Sequence, residues 1–184
     1  VSRREFLKWS TGLLAGSARG AGCSSLSRQH ADVAPIRPCG PAAKYNPLLW
    51  AAFGRRLGDY GMLWPGAVYD GEAALRMYAA KVTDTATRLG ASLKLRPAPL
   101  YSLDEGQAWL AEAKAARVDG LGLVMLDRQQ HAWPTAQKVA QSGIPSIVYS
   151  PLGTSFTTNT TALAQTPGCV VYSTDDFGQA VYGM

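Results

Sequence analysis

From residue 72 onward the apolar positions fall into regular periods. Ala73, Leu75, Tyr78, Ala79, Val82, Ala86 and Leu89 recur at three- and four-residue spacing and stop at Gly90. That spacing predicts an amphipathic helix closed by a glycine. Residues 91–101 carry Leu93, Leu95, Ala98 and Leu100 in near alternation, a strand with prolines close to its end. Ser102 followed three residues later by Glu105 forms a capping box, and the helix it opens runs to about Arg117 with Trp109, Leu110 and Ala113 on one face. Leu121 to Leu126 is an unbroken apolar run, the mark of a strand buried on both faces. Residues 133–142 repeat the helical period up to Gly143, 144–149 and 169–172 read as further buried strands, and 175–184 starts a last helix. Ahead of this block, Met62, Leu63, Trp64, Ala67 and Val68 make residues 61–69 the expected first strand, although Pro65 and Gly66 interrupt it. Residues 48–57 read as a short helix, and 153–168 as a long loop.

Helical and strand-like runs therefore alternate. This order predicts an α/β domain with a parallel sheet of about five strands and helices on both faces, joined by right-handed crossovers. No repeat of a solenoid period is present.

The amino-terminal residues follow a different logic. Ser2-Arg3-Arg4-Glu5-Phe6-Leu7-Lys8 precedes a small-residue run that includes Leu13, Leu14 and Ala15. It resembles a twin-arginine (Tat) signal peptide, a receptor-read address and not an element of the fold. The run is too short and polar for a membrane span, which needs about 20 apolar residues. Gly20-Ala21-Gly22-Cys23 half resembles a lipobox, so a lipid anchor on Cys23 would be the one membrane attachment. The resemblance implies passage through the Tat translocon as a folded cargo and a periplasmic or otherwise extracytoplasmic location. Pro35, Pro38, Pro41 and Pro47 make the following segment an extended tether. The expected organisation is a signal over 1–23, a Pro/Ser-rich tether with a short helix over 24–60, and an α/β recognition lobe over 61–184. A start at Val1 and a stop at Met184 inside a helical run are what a fragment of a longer protein would show.

Charge narrows the partners. The formal net charge is +5, of which Arg3, Arg4, Lys8 and Arg19, less Glu5, carry +3. What remains is sparse and unclustered, so a nucleic-acid surface is not expected. Cys23, Cys39 and Cys169 lack metal-binding spacing, and an oxidising compartment would permit a Cys39–Cys169 disulfide without requiring it. There is no G-x-G-x-x-G after a first strand, no G-x-x-x-x-G-K-[ST] and no G-x-S-x-G. The only histidines are His30 and His131. No catalytic constellation, metal site or cofactor site is thus expected within this segment.

In parallel sheets ligands bind beyond the carboxyl ends of the strands. The segments there are polar and aromatic: Arg128, Gln129, His131 and Trp133 after the third expected strand, Ser150, Thr154, Ser155 and Phe156 after the fourth, and Asp175 after the fifth. Hydroxyls, amides, a carboxylate, a guanidinium and flat rings on one rim suit a carbohydrate or another small polar molecule, whose hydroxyls pair and whose C–H faces stack. The bland alternatives are that Asp175 caps a helix, that Arg128 is solvated and that Trp133 is core.

Two resemblances sharpen this expectation. Asp119-Gly120 with its apolar strand, Gln137 and Gly143 with Ile144-Pro145, and the turn Ser173-Thr174-Asp175-Asp176 resemble the first lobe of type I periplasmic sugar-binding proteins and the related LacI-type regulators. That likeness implies a periplasmic-binding-protein-like, Rossmann-like lobe, with Asp175 beside the ligand cleft. The insert 153–168 departs from the pattern. Tyr69-Asp70-Gly71-Glu72-Ala73-Ala74-Leu75 is similar to the amino-terminal domain of L-arabinose and L-fucose isomerases. In those enzymes the catalytic carboxylates and a divalent metal, Mn or Mg, belong mainly to later domains, so an aldose–ketose isomerase is the enzymatic alternative. A structural or partner-binding α/β module is the third.

Overall fold

Strand β1 (Leu48–Gly54) lies second in a five-stranded, all-parallel sheet, between the edge strand β4 (Ser92–Leu95) and the central β5 (Gly120–Met125). The computed structural model describes residues 45–58, 60–61, 68–127, 132–154 and 157–181. The twin-arginine segment, Cys23, Cys39, most of the tether and residues 62–67 lie outside them. Beyond β5 the sheet continues through β6 (Ser146–Ser150) to β7 (Cys169–Ser173), giving the order β4-β1-β5-β6-β7. Residues Tyr60–Gly61 (β2) and Val68–Tyr69 (β3) pair separately as a small antiparallel ribbon.

The α/β class, the parallel sheet and its five strands are as the alternating pattern predicts, but the first strand is not. Residues 48–57 do not form a helix. Leu48-Leu49-Trp50-Ala51-Ala52-Phe53-Gly54 is extended and buried on both faces, so it shows no alternation, and a short apolar run has no period that separates strand from helix. Of the expected strand 61–69, the described residues are Gly61 in one arm of the ribbon and Val68–Tyr69 in the other, paired antiparallel. Leu48–Gly54, inside the segment expected to be tether and short helix, is thus a strand of the sheet.

Helices cover both faces. On one lie α2 (Leu103–Ala115), α3 (Ala132–Ala140) and α4 (Thr157–Ala164), over a core of Trp50, Leu121, Leu123, Met125, Trp109, Val139, Val148 and Leu163. On the other lie α1 (Gly71–Leu89) and the short α5 (Phe177–Val181), over Ala51, Phe53, Val124 and Tyr149. Helix α4 occupies the stretch expected to be loop. Its Thr-rich sequence, TTNTTALA, has neither the propensity nor the acidic first turn that announces a helix.

Local signals set most boundaries. Asp70 caps α1 by accepting the Ala73 amide at 2.8 Å, and Gly90 closes it at φ 68°, a left-handed conformation that costs glycine nothing. Ser102 accepts the Glu105 amide at 3.2 Å, while the Glu105 carboxylate reaches back to the Tyr101 amide at 3.2 Å, one residue beyond the usual capping-box donor. Strand β7 is an edge strand and not fully buried: Val170 is 43% exposed.

Candidate functional site

The chain crosses from β1 to β4 on one side and then back over β1 to β5, so the strand order reverses at β1. In a parallel sheet of this order the ligand crevice opens outside the carboxyl ends of the two strands that flank the reversal, here β1 and β5. The ladder carries both strand ends to the same level: the Leu126 amide donates to the Gly54 carbonyl at 2.8 Å, and the Arg55 amide to the Leu100 carbonyl at 3.2 Å.

Four charged side chains meet at this point. Arg55 and Arg56 follow β1, Asp127 follows β5, and Glu72 stands in the first turn of α1, where the helix dipole favours a carboxylate. Arg55 Nη1 lies 2.7 Å from Glu72 Oε1, and Arg56 Nε lies 3.1 Å from Asp127 Oδ2. The pairs are mirror images in burial. The Arg55 side chain is 6% exposed and its partner 61%, whereas Asp127 is fully buried and Arg56 is 21% exposed. Taking a carboxylate out of water without a cation costs several kcal/mol, and the Arg56 guanidinium lies against the buried Asp127 carboxylate at the carboxyl ends of β1 and β5. Arg55 also donates from Nε to the Arg56 carbonyl at 3.2 Å, which ties the two turns together. Each guanidinium is thus matched by a carboxylate. The arrangement offers planar donors beside acceptors, the complement of adjacent hydroxyl groups on an uncharged ligand.

The rest of the rim comes from the loops after β6 and β7. Asp175 Oδ1 accepts the Leu152 amide at 2.9 Å and so joins the two loops. Asp176, not Asp175, caps α5, accepting the Gly178 amide at 2.9 Å. Beneath them Tyr78, Tyr149 and Phe177 form an aromatic cluster, with Tyr149 and Phe177 edge to face at 4.9 Å between centroids. The Tyr149 hydroxyl donates to the Thr174 carbonyl at 2.6 Å, and burial pushes its pKa far above the usual tyrosine value.

The residues expected at the site separate into three groups. Asp175 stands exposed on the rim. Ser150 and Thr154 are buried and bonded to each other at 2.6 Å, with Thr154 Oγ1 also donating to the Pro151 carbonyl at 2.7 Å; their hydroxyls close the turn. Trp133 is 5% exposed and packed in the core below α3, so its ring is not presented for stacking; its indole Nε1 finds no acceptor among the described residues. Arg128, Gln129, His131, Ser155 and Phe156 lie outside the described residues. Arg55, Arg56, Glu72 and Asp127 were absent from the expected set. Two consecutive arginines directly after the apolar run 48–54 were the available signal, and it is lost once that run is read as a helix.

Among the described residues no group of three or more His, Cys, Asp or Glu side chains is placed to hold a metal ion. No described helix is long and apolar enough to cross a membrane. Cys169 is a free, buried thiol, its pKa raised by burial. No family model matches the chain, and no curated protein matches it.

Proposed function

We propose that the chain is an exported carbohydrate-recognition lobe of the solute-binding type, with its ligand on the carboxyl rim between β1 and β5. The observation that carries the reading is the compensated charge cluster at the strand-order reversal, Arg55–Glu72 and Arg56–Asp127. A neutral polyol needs every buried hydroxyl paired, since an unpaired buried polar group costs about 1–3 kcal/mol. Interleaved guanidinium and carboxylate groups supply that pairing without demanding charge on the ligand. Asp175, exposed on the neighbouring loop, adds an acceptor along the same rim. Export rests on the Ser2–Lys8 resemblance to a twin-arginine signal, and delivery would place the lobe in the periplasm, anchored there if Cys23 is lipidated.

The enzymatic reading is an amino-terminal domain of an L-arabinose/L-fucose-type isomerase. It is favoured by one observation: the Asp70-Gly71-Glu72 segment that resembles those enzymes stands at the crevice, where Glu72 is exposed. The described residues provide no metal cluster, and no step is drawn through one.

A thermal-shift screen against neutral pentoses and hexoses, with and without Mn²⁺ or Mg²⁺, tests the proposal. A sugar at 100 times its Kd stabilises the folded state by about 2.7 kcal/mol. A metal-independent shift that is lost in Arg56→Met supports the binding lobe, a shift that needs metal supports the isomerase, and no shift with any sugar overturns both.

A further inference from the structure

The two ion pairs at the ends of β1 and β5 are built opposite ways round. Asp127 is a buried carboxylate with a cation nearer the surface, whereas Arg55 is a buried cation whose carboxylate stands mostly in water. The Arg55 side chain is held at two points: Nε donates to the Arg56 carbonyl at 3.2 Å, and Nη1 to Glu72 Oε1 at 2.7 Å. Its Nη2 makes no hydrogen bond among the described residues. A guanidinium keeps its charge at any ordinary pH, so a buried one calls for an anion close by.

The first turn of α1 makes the same demand. Asp70 is committed to the Ala73 amide at 2.8 Å, and the Gly71 and Glu72 amides have no acceptor among the described residues. Unpaired leading amides and the helix dipole favour an anion at such a turn. Arg55 meets this turn at Glu72, and the Glu72 carboxylate is the anion found there.

We propose that Glu72 is the specificity-determining residue of the crevice: by occupying Arg55 it admits an uncharged sugar and turns away one that carries a carboxylate. The inference rests on the carbohydrate reading above. A hexuronate differs from its hexose by a carboxylate in place of the C6 hydroxymethyl group. Brought to Arg55, that carboxylate finds the cation already compensated and Glu72 as a like-charged neighbour, and it gives up hydration without a cation in return. A hydroxyl meets no such cost, since it can donate to Glu72 or accept from Nη2. Removing the Glu72 charge leaves Arg55 and the α1 turn open to the ligand's own carboxylate.

Paired sugars test this by titration calorimetry on the full chain: D-glucose against D-glucuronate, and D-galactose against D-galacturonate. The parent is expected to bind a hexose more tightly than its uronate by about tenfold or more. Glu72→Gln keeps an oxygen for Arg55 Nη1 without the charge, and is expected to move that ratio toward the uronate by about tenfold or more. Adding Arg55→Met is expected to cancel the move, which separates capture by the guanidinium from simple loss of repulsion. The ratio is read within each folded protein, so a change in stability does not enter it. A ratio unmoved by Glu72→Gln, or a uronate bound by the parent as tightly as its hexose, overturns the assignment and leaves the carbohydrate reading standing. Binding of none of the four sugars by parent or variant overturns the assignment as well, and binding of no neutral pentose or hexose at all overturns the reading beneath it.

Discussion

The carboxylate of Asp119 latches the start of β1. Its Oδ2 accepts the Leu48 amide at 2.7 Å, and the Asp119 amide in turn donates to the Leu48 carbonyl at 2.9 Å. The Tyr45 hydroxyl donates to the other carboxylate oxygen. Asp119-Gly120, the pair that opens the resemblance to sugar-binding lobes, thus sits at the amino-terminal edge of the sheet, at the opposite end from the crevice. Its work here is to fix the register at which β1 begins beside β5.

This latch makes an acid-sensitive contribution. The hydrogen bond from Tyr45, and then the one from the Leu48 amide, hold the Asp119 pKa below the ordinary aspartate value. A group depressed on folding stabilises the fold at pH above its unfolded value, about 3.9, and that contribution is lost as pH falls through the folded value. Asp119→Asn is therefore expected to be less stable than the parent at pH 7, with the difference shrinking below about pH 4. Urea midpoints across pH 2–7 check this, and a constant difference would assign the loss to something other than ionisation.

Arg117 is the one described non-glycine residue with positive φ, at 52°. It sits past the Ala116 C-cap of α2, where the Val118 amide returns to the Ala113 carbonyl at 3.4 Å and the Arg117 amide to Lys114 at 3.1 Å. This is a Schellman-type end with arginine where glycine is preferred. Arg117→Gly is expected to stabilise the protein by about 1 kcal/mol, or about 2–4 °C in Tm. Calorimetry at neutral pH measures it.

Gly106 lies where α2 meets α3. A Cβ built there would stand 2.7 Å from Thr135 Cγ2. In an open helix Gly→Ala gains about 0.5–1 kcal/mol, but here overpacking, at about 1–3 kcal/mol, wins. Gly106→Ala is expected to destabilise, and Thr135→Ser, which removes the opposing methyl, to turn the same substitution favourable. A double-mutant cycle by urea unfolding reads the coupling.

Arg56 and Asp127 form an ion pair at the carboxyl ends of β1 and β5, with the carboxylate fully buried. Arg56→Met leaves Asp127 without this cation and is expected to cost roughly 3 kcal/mol, the lower end for breaking a buried pair because Arg56 is partly exposed. Arg55→Met removes a bridge to an exposed carboxylate and is expected to cost less. Urea unfolding of the two variants ranks them, and the reverse order would mean that burial does not govern this cluster.

Legibility followed the number of independent local cues. Helices α1 and α2 announce themselves by apolar period and by caps at Asp70, Gly90 and Ser102, and β5 by its unbroken apolar run. Strand β1 has an apolar run, but the Asn46-Pro47 before it reads as the end of the tether and the two arginines behind it as the polar face of a helix. Misreading it displaced the strand-order reversal and with it the site, because Arg56 and Asp127 become neighbours only through β1–β5 pairing at Gly54 and Met125. Ser150 and Thr154 carry polar side chains in the right loop, but nothing in their spacing tells that each satisfies the other.

Asp175 gives the sharpest test of the site. Its Oδ1 holds the Leu152 amide, and the capping of α5 falls to Asp176. Asn at 175 keeps an oxygen acceptor of the same reach, so Asp175→Asn is expected to change stability by less than about 0.5 kcal/mol, as at ordinary surface positions. It removes the charge, and a charge-assisted hydrogen bond to a ligand hydroxyl is worth about 1.5–3 kcal/mol. Sugar affinity measured by titration calorimetry is then expected to fall by roughly 10- to 150-fold with Tm of the free protein nearly unchanged. Unchanged affinity in the folded variant would confine Asp175 to bridging the loops after β6 and β7, and would leave the crevice between β1 and β5 to bind without it.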